Sequence, residues 1–200
     1  MRVMNTNLMV VSAVVAALLV WGVLVYNRLM ALRNRTSNAL AQIDVQLKRR
    51  YDLVPNLVAV AKKYLEHESQ TLEAVIRARG QAQAAASALR AAPGKPEVAE
   101  AMVAAEGALG GALGRLMVLT ESYPDLKADD TMRSLSEELG STENRIGYAR
   151  QAYNDQVLEF NNASRAFPAI VVASILGFHA MPMLQSTQSA QEREAVRVQF

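Results

Sequence analysis

His67-Glu68-Ser69-Gln70-Thr71 opens like a zinc-binding helix in which two imidazoles four residues apart share one face and the intervening glutamate acts as base. The fifth position is Thr, so the second ligand is missing and the motif fails. His67 is then expected as an exposed helix residue. His179, the other histidine, stands alone near the C-terminal end. The chain has no Cys, which removes thiolate nucleophiles, disulfides and cysteine-based metal sites. Any triad of nucleophile, histidine and acid would have to be built around one of these two isolated imidazoles. There is no G-x-S-x-G and no phosphate-cradling glycine loop. Glu137 and Glu138 are neighbours, about 100° apart on a helix, and cannot share one site. No catalytic, cofactor-binding or metal-ligating residue is expected, and the chain reads as a non-enzyme.

The elements around these residues are marked more clearly than any chemistry. Lys and Arg number 21 against 19 Asp and Glu, a net charge of +2 that lacks the basic excess of a nucleic-acid binder. Half of the 200 residues are apolar yet few are aromatic, and Ala, Val, Leu and Met dominate. From Val3 to Asn27 there is no charge. Leu8 to Val25 is apolar apart from Ser12 and Gly22, and as a helix it covers about 27 Å, close to the hydrocarbon thickness of a bilayer. Trp21 and Tyr26 stand at its C-terminal edge, where amphipathic rings favour the headgroup layer. No small-x-small site follows, so residues 1–27 read as a permanent single-pass anchor rather than a cleaved signal. Arg28, Arg33 and Arg35 on one side against Arg2 on the other place the larger part in the cytoplasm and the N-terminus outside.

Prolines at 55, 93, 96, 124, 168 and 182 divide the rest into segments of helical length: 26–54, 56–92, 97–123 and 125–167. Val98, Met102, Ala105, Leu109, Ala112, Leu116, Leu119 and Tyr123 step by alternating fours and threes, a heptad seam. Leu135, Leu139, Thr142, Ile146, Ala149 and Tyr153 repeat it. Leu29, Leu32, Ala39, Ile43, Leu47 and Tyr51 make a looser stripe. An all-α fold is predicted: the anchor, an up-and-down antiparallel four-helix bundle over residues 28–167, and an apolar-then-polar tail over 168–200. Ala92 to Pro96 reads as a loop, Tyr123-Pro124 ends the third helix, and Asp129 or Asp130 caps the fourth. Asp52 and Pro55 suit a tight turn with Asp52 as cap, or a kink; the turn is the expectation.

Three features admit two readings. Within residues 28–50, Arg28, Arg33, Arg35, Lys48, Arg49 and Arg50 stand against Asp44 alone, while the third and fourth segments are acidic. This implies pairing inside the bundle, or a basic face for acidic lipid or an acidic partner. Gly107, Gly110, Gly111 and Gly114 imply close helix approach, or else a subunit contact or a local softening of the helix. Ala169 to Phe178 is an apolar run too short to span a bilayer. It suits burial against the bundle base, a subunit contact, or contact of residues 169–184 with the membrane surface beside Arg28, Arg33 and Arg35.

The motifs taken together resemble the LemA family. They include Leu32-Arg33-Asn34-Arg35, the run from Ala41 through Asp52-Leu53-Val54-Pro55-Asn56 to Val58, and His67-Glu68 with Thr71 to Val75. Gly111 to Leu116, Glu121 to Ala128, Leu139 to Ile146, Tyr153-Asn154-Asp155 and Phe160-Asn161 continue it. So do Phe167-Pro168 and Gly177-Phe178. The resemblance covers residues 25–180, and the stretch from His179 onward fits less well. It implies a bacterial single-pass protein of the cytoplasmic membrane with a cytoplasmic four-helix bundle, and no reaction. One branch of that family takes part in forming magnetosome membranes. The expected role is a helical scaffold or organiser whose partners are the lipid bilayer, other copies of itself or other membrane proteins, with no nucleic acid and no small-molecule substrate. The alternative is a tethered receptor or adaptor that binds a protein through the bundle.

Overall fold

The computed structural model describes residues 2–65 and 67–184, with side chains described from Asn7 onward. Six helices are described: α1 (Arg2–Lys62), α2 (Ser69–Ala91), α3 (Pro96–Glu121), α4 (Pro124–Ala128), α5 (Asp130–Arg165) and α6 (Ala169–Ile175). The fold is all-α. α1 rises, α2 returns, α3 rises and α5 returns, so four long helices alternate in direction. Residues 185–200, the polar end of the expected tail, lie outside the described residues.

α1 corrects the expected first junction. It is one helix of 61 residues, about 90 Å long, and it runs straight through Asp52 and Pro55. The turn falls instead at residues 63–68, so Asp52 caps nothing and His67 lies exposed in that turn rather than on a helix. Proline in a helix interior removes one N–H, and the acceptor left without it is the carbonyl four residues earlier, that of Tyr51. Arg79 of α2 donates its Nε–H to that carbonyl at 2.6 Å. The Pro55 ring itself is exposed, while Val54, Leu57, Val58 and Ala61 around it are buried. A neighbouring helix thus supplies the missing bond, and the apolar seam holds both halves of α1 in line.

The seams bury as their spacing predicts. Met102, Leu109, Ala112 and Leu116 of α3 are buried, as are Thr142, Ile146 and Tyr153 of α5, where the period continues to Val157 and Phe160. Asp129 caps α5 by accepting from the Met132 N–H at 2.9 Å and also accepts from the Tyr64 hydroxyl at 3.0 Å. These bonds hold its carboxyl below the usual range and tie the distal end of α1 to the start of α5.

The bundle is unequal along its length. Arg90, at the end of α2, pairs with Asp44 at 2.7 Å. The α2–α3 hairpin therefore ends near Asp44, about 24 Å along α1 from Arg28. Below that level only α1 and α5 continue. A second apolar core takes over there, formed by Leu29 and Leu32 of α1, Phe160 of α5, and Ala173 and Phe178 of the tail. α6 was not foreseen as a helix, nor was the five-residue α4.

Two asparagines fix the rest of the tail to α5. Asn161 exchanges two bonds with the Met181 backbone, at 2.8 and 2.9 Å. Asn154 exchanges two with the Leu184 backbone, both at 2.8 Å. The asparagines are seven residues apart on a helix, about 10.5 Å, and three extended residues cover about 10 Å. The spacings match, so residues 181–184 lie antiparallel to α5 and are bonded to it through side-chain amides.

A double-mutant cycle tests the account of Pro55. Arg79→Met leaves the Tyr51 carbonyl without a donor and is expected to cost about 1–3 kcal/mol in chemical denaturation. In a Pro55→Ala background the restored Ala N–H takes that carbonyl, and most of the Arg79→Met loss should vanish. Equal losses in both backgrounds would refute the exchange.

Candidate functional site

The site that stands out was not visible in the sequence. Arg50 lies beside the α1 seam and is buried, with only 4% of its surface exposed. Its Nη1–H donates to Glu106 Oε2 of α3 at 2.8 Å. Its Nη2 lies 3.0 Å from Glu143 Oε2 of α5. Tyr51, next along α1, donates its hydroxyl to the other Glu106 oxygen. One guanidinium therefore joins three helices, and both oxygens of a buried carboxylate are engaged. A buried charge is tolerated only when paired and hydrogen-bonded in this way.

The electrostatics follow from burial. Desolvation lifts the Glu106 carboxyl above its ordinary range, against the opposing pull of the Tyr51 hydroxyl and the Arg50 guanidinium. Burial also raises the Tyr51 phenol, and the carboxylate that accepts its proton raises it further. Arg150 of α5, half-buried on the same cavity, is lowered by desolvation against the pull of Glu143 and Glu106.

The cluster walls a cavity of about 150 Å³ with Leu47, Met102, Gly107, Gly110 and Ile146. Toward the distal end lies an open groove of about 390 Å³ between α3 and α5, lined by Leu113, Gly114, Met117, Leu139 and Gly140, with Arg50 and Glu143 beneath. This corrects the expectation that the α3 glycines mediate close helix approach. A methyl group at Gly110 would meet the Arg50 guanidinium at 3.6 Å, and one at Gly114 would meet nothing within 4 Å. The glycines leave room for a guanidinium and for a groove, not for another backbone. A subunit contact, the second reading of the glycines, stays open.

The charge division seen in the sequence resolves by level. Arg49 pairs with Glu138 at 2.6 Å, Arg50 with Glu106 and Glu143, and Arg90 with Asp44. Arg28, Arg33 and Arg35, which follow the apolar N-terminal stretch, are exposed and form no ion pair among the described residues. His67 and His179 are exposed at different ends of the chain path, in the first turn and in the tail. No group of three or more His, Cys, Asp or Glu able to hold a metal occurs among the described residues. The cluster is built to hold helices in register over a cavity, with both Glu106 oxygens already committed to protein donors.

Residues 39–200 match the LemA family. The chain belongs to the LemA family. The match takes in Arg50, Glu106, Glu143 and the whole tail, so the stretch from His179 onward lies inside the family's span and not beyond it. Among related proteins are two magnetosome proteins. Magnetosome protein MamQ of Magnetospirillum gryphiswaldense is 35% identical over 79 residues, which are 40% of this chain and 29% of that protein. Magnetosome protein MamQ 2 of Paramagnetospirillum magneticum is 28% identical over 187 residues, 86% of this chain and 69% of that protein. LemA membership thus rests on the bundle and tail; the first 38 residues stand outside the family match.

Two measurements test the cluster. Arg50→Met strips a buried carboxylate of its cation and is expected to lower unfolding free energy by about 3–5 kcal/mol in urea titration. A loss near zero would mean that the pair does not hold the helices. The second concerns pH. The native state binds the Glu106 proton more tightly than the unfolded chain does, so the unfolding free energy has a negative slope against pH. Stability from this group is complete below its ordinary value of 4.5 and is lost as pH rises above it. Glu106→Gln is expected to flatten that slope; a slope unchanged by the substitution assigns it elsewhere.

Proposed function

We propose that this LemA-family chain is a membrane-anchored helical scaffold without catalytic activity, which self-associates and organises other proteins at a bacterial cytoplasmic membrane. The observation that carries the reading is the continuity of α1. Its stretch from Asn7 has the length and hydropathy of a membrane span, and no residue of that window is buried by the rest of the chain. The same helix, without a hinge, then forms the centre of the bundle. A tether with no flexible joint fixes the height and direction of the bundle over the bilayer, which a scaffold needs and a freely searching enzyme does not. The unpaired Arg28, Arg33 and Arg35 support a cytoplasmic bundle, with the N-terminus outside. The relatives' name, magnetosome protein, states an association and no substrate, and no reaction is carried over from it.

An adaptor is the second reading, and the open groove between α3 and α5 favours it, since a partner helix could bury Leu113, Met117 and Leu139 there. The two readings part on size. The full chain purified in mild detergent and measured by light scattering is expected as a uniform assembly of several copies, and crosslinking in native membranes should return links between identical residues. A monomer that crosslinks only to another protein would replace the scaffold with the adaptor.

A further inference from the structure

The tail carries two apolar faces, and the bundle uses only one. Ala173 and Phe178 are buried against Leu29, Leu32 and Phe160. Phe178 also meets Tyr26 edge-on, with ring centroids 5.8 Å apart. Opposite them Phe167 is 86% exposed, Val171 52% and Ile175 77%. Val171 and Ile175, four apart in α6, share one face, with Phe167 exposed in the turn before the helix, and Ala173 lies about 200° from Val171. Such an exposed apolar face on a short helix needs a partner of stated kind.

Its height identifies that partner. α1 is one unbroken helix, so contacts along it measure distance from the apolar span that ends at Val25. α6 and Phe178 pack at Val25, Tyr26 and Leu29, within about 6 Å of the end of the span. The headgroup layer occupies that interval. A notch of about 230 Å³ joins the two elements there, lined by Trp21, Val25, Leu29, Ala163 and Phe167, with Arg28 at its edge. From Ala166 to Gln191 the sequence has no Lys, Arg, Asp or Glu, whereas Arg28 lines the notch, Arg165 ends α5 just before α6, and Arg33 and Arg35 follow about 12 and 15 Å along α1 from Val25. An apolar face with bases beside and behind it complements the acyl boundary of an anionic leaflet.

We propose that α6 with Phe167 is an interfacial hook: Phe167, Val171 and Ile175 enter the headgroup–acyl boundary of the leaflet from which α1 emerges, while Ala173 and Phe178 stay locked to the bundle. The inference rests on the anchor reading of residues 1–27. The hook supplies a second, lateral membrane contact. α1 alone sets the height and direction of the bundle but leaves it free to rotate about the helix axis; a second contact at the same level sets that rotation.

The chain has no Cys, so single cysteines report single sites. Full-length Val14→Cys, Ile175→Cys and Val118→Cys, all at exposed positions, are labelled with a bimane dye. They are reconstituted into vesicles of phosphatidylcholine and phosphatidylglycerol at 3:1, bundle outward. Shallow doxyl-labelled lipid and aqueous iodide serve as quenchers. Val14 reports the span and Val118 the distal end of α3. The hook predicts that doxyl quenching at position 175 exceeds that at 118 at least threefold, with iodide quenching reduced by a similar factor. Quenching at 175 like that at 118 overturns the hook while leaving the anchor standing if position 14 is lipid-quenched. Shielding of 175 from both quenchers places it in a protein contact and also overturns it. Loss of lipid quenching at position 14 overturns the anchor and the hook together.

Discussion

A helix that begins with the length and hydropathy of a membrane span and then serves as the centre of the bundle must remain one helix, and in this chain that requirement meets a proline. Pro55 removes the N–H due to the Tyr51 carbonyl, and Arg79 from α2 replaces it. The substitution of an interhelical bond for an intrahelical one does more than repair a ladder. It joins α2 to α1 at the level of Arg50 and Tyr51, where the buried charge cluster also sits. Backbone repair at Tyr51 and ion pairing at Arg50 therefore act on adjacent residues. The position of the bundle relative to the apolar N-terminal stretch depends on this region staying straight.

The cluster illustrates why a buried ion pair is not simply a source of stability. Desolvating Arg50 and Glu106 costs several kcal/mol per ion, and their mutual attraction offsets this only with good geometry and further hydrogen bonds. An apolar set of similar volume would pack the same space. What charges add is direction: an Arg fork and a carboxylate fix the register of α1 against α3, and Glu143 extends the constraint to α5. The glycines opposite keep the guanidinium accessible to its partners without steric cost at Gly110. The groove is then a by-product of the same packing, because small side chains on facing helices leave space that a continuous Leu seam would close.

The parts of this arrangement that the sequence disclosed are those set by local rules. Heptad spacing placed Met102, Leu109, Leu116, Ile146 and Tyr153 in the core, and the Asp129 cap and the loop from Ala92 to Pro96 followed from turn chemistry. The Asp52–Pro55 junction was misread because the same residues can open a helix or lie within one. The decision was made by Arg79, which is distant in sequence and carries no local mark. The Arg50–Glu106–Glu143 cluster was illegible for a similar reason: its members flank the seams rather than occupy them, and their pairing spans more than fifty residues. The glycines were read for what glycine permits on average, close approach, when the structure uses the absence of a side chain to make room. The short apolar run of the tail had no period long enough to reveal that it folds as a helix with two faces.

The tail completes an argument about inequality in the bundle. An antiparallel four-helix bundle buries four seams only where all four helices are present, and here the α2–α3 hairpin ends at Asp44. α1 and α5 continue toward the apolar N-terminal stretch with Leu29, Leu32 and Phe160 still apolar. Two helices alone cannot cover such a seam, so something must close it. A short charge-free segment covers the seam with one face and leaves the other apolar, and the amides of Asn154 and Asn161 satisfy the extended backbone that follows it. Toward Val25 the sequence of α1 loses its charges, and the tail that packs there has none of Lys, Arg, Asp or Glu from Ala166 to Gln191, so the covering element matches in composition the apolar stretch it adjoins.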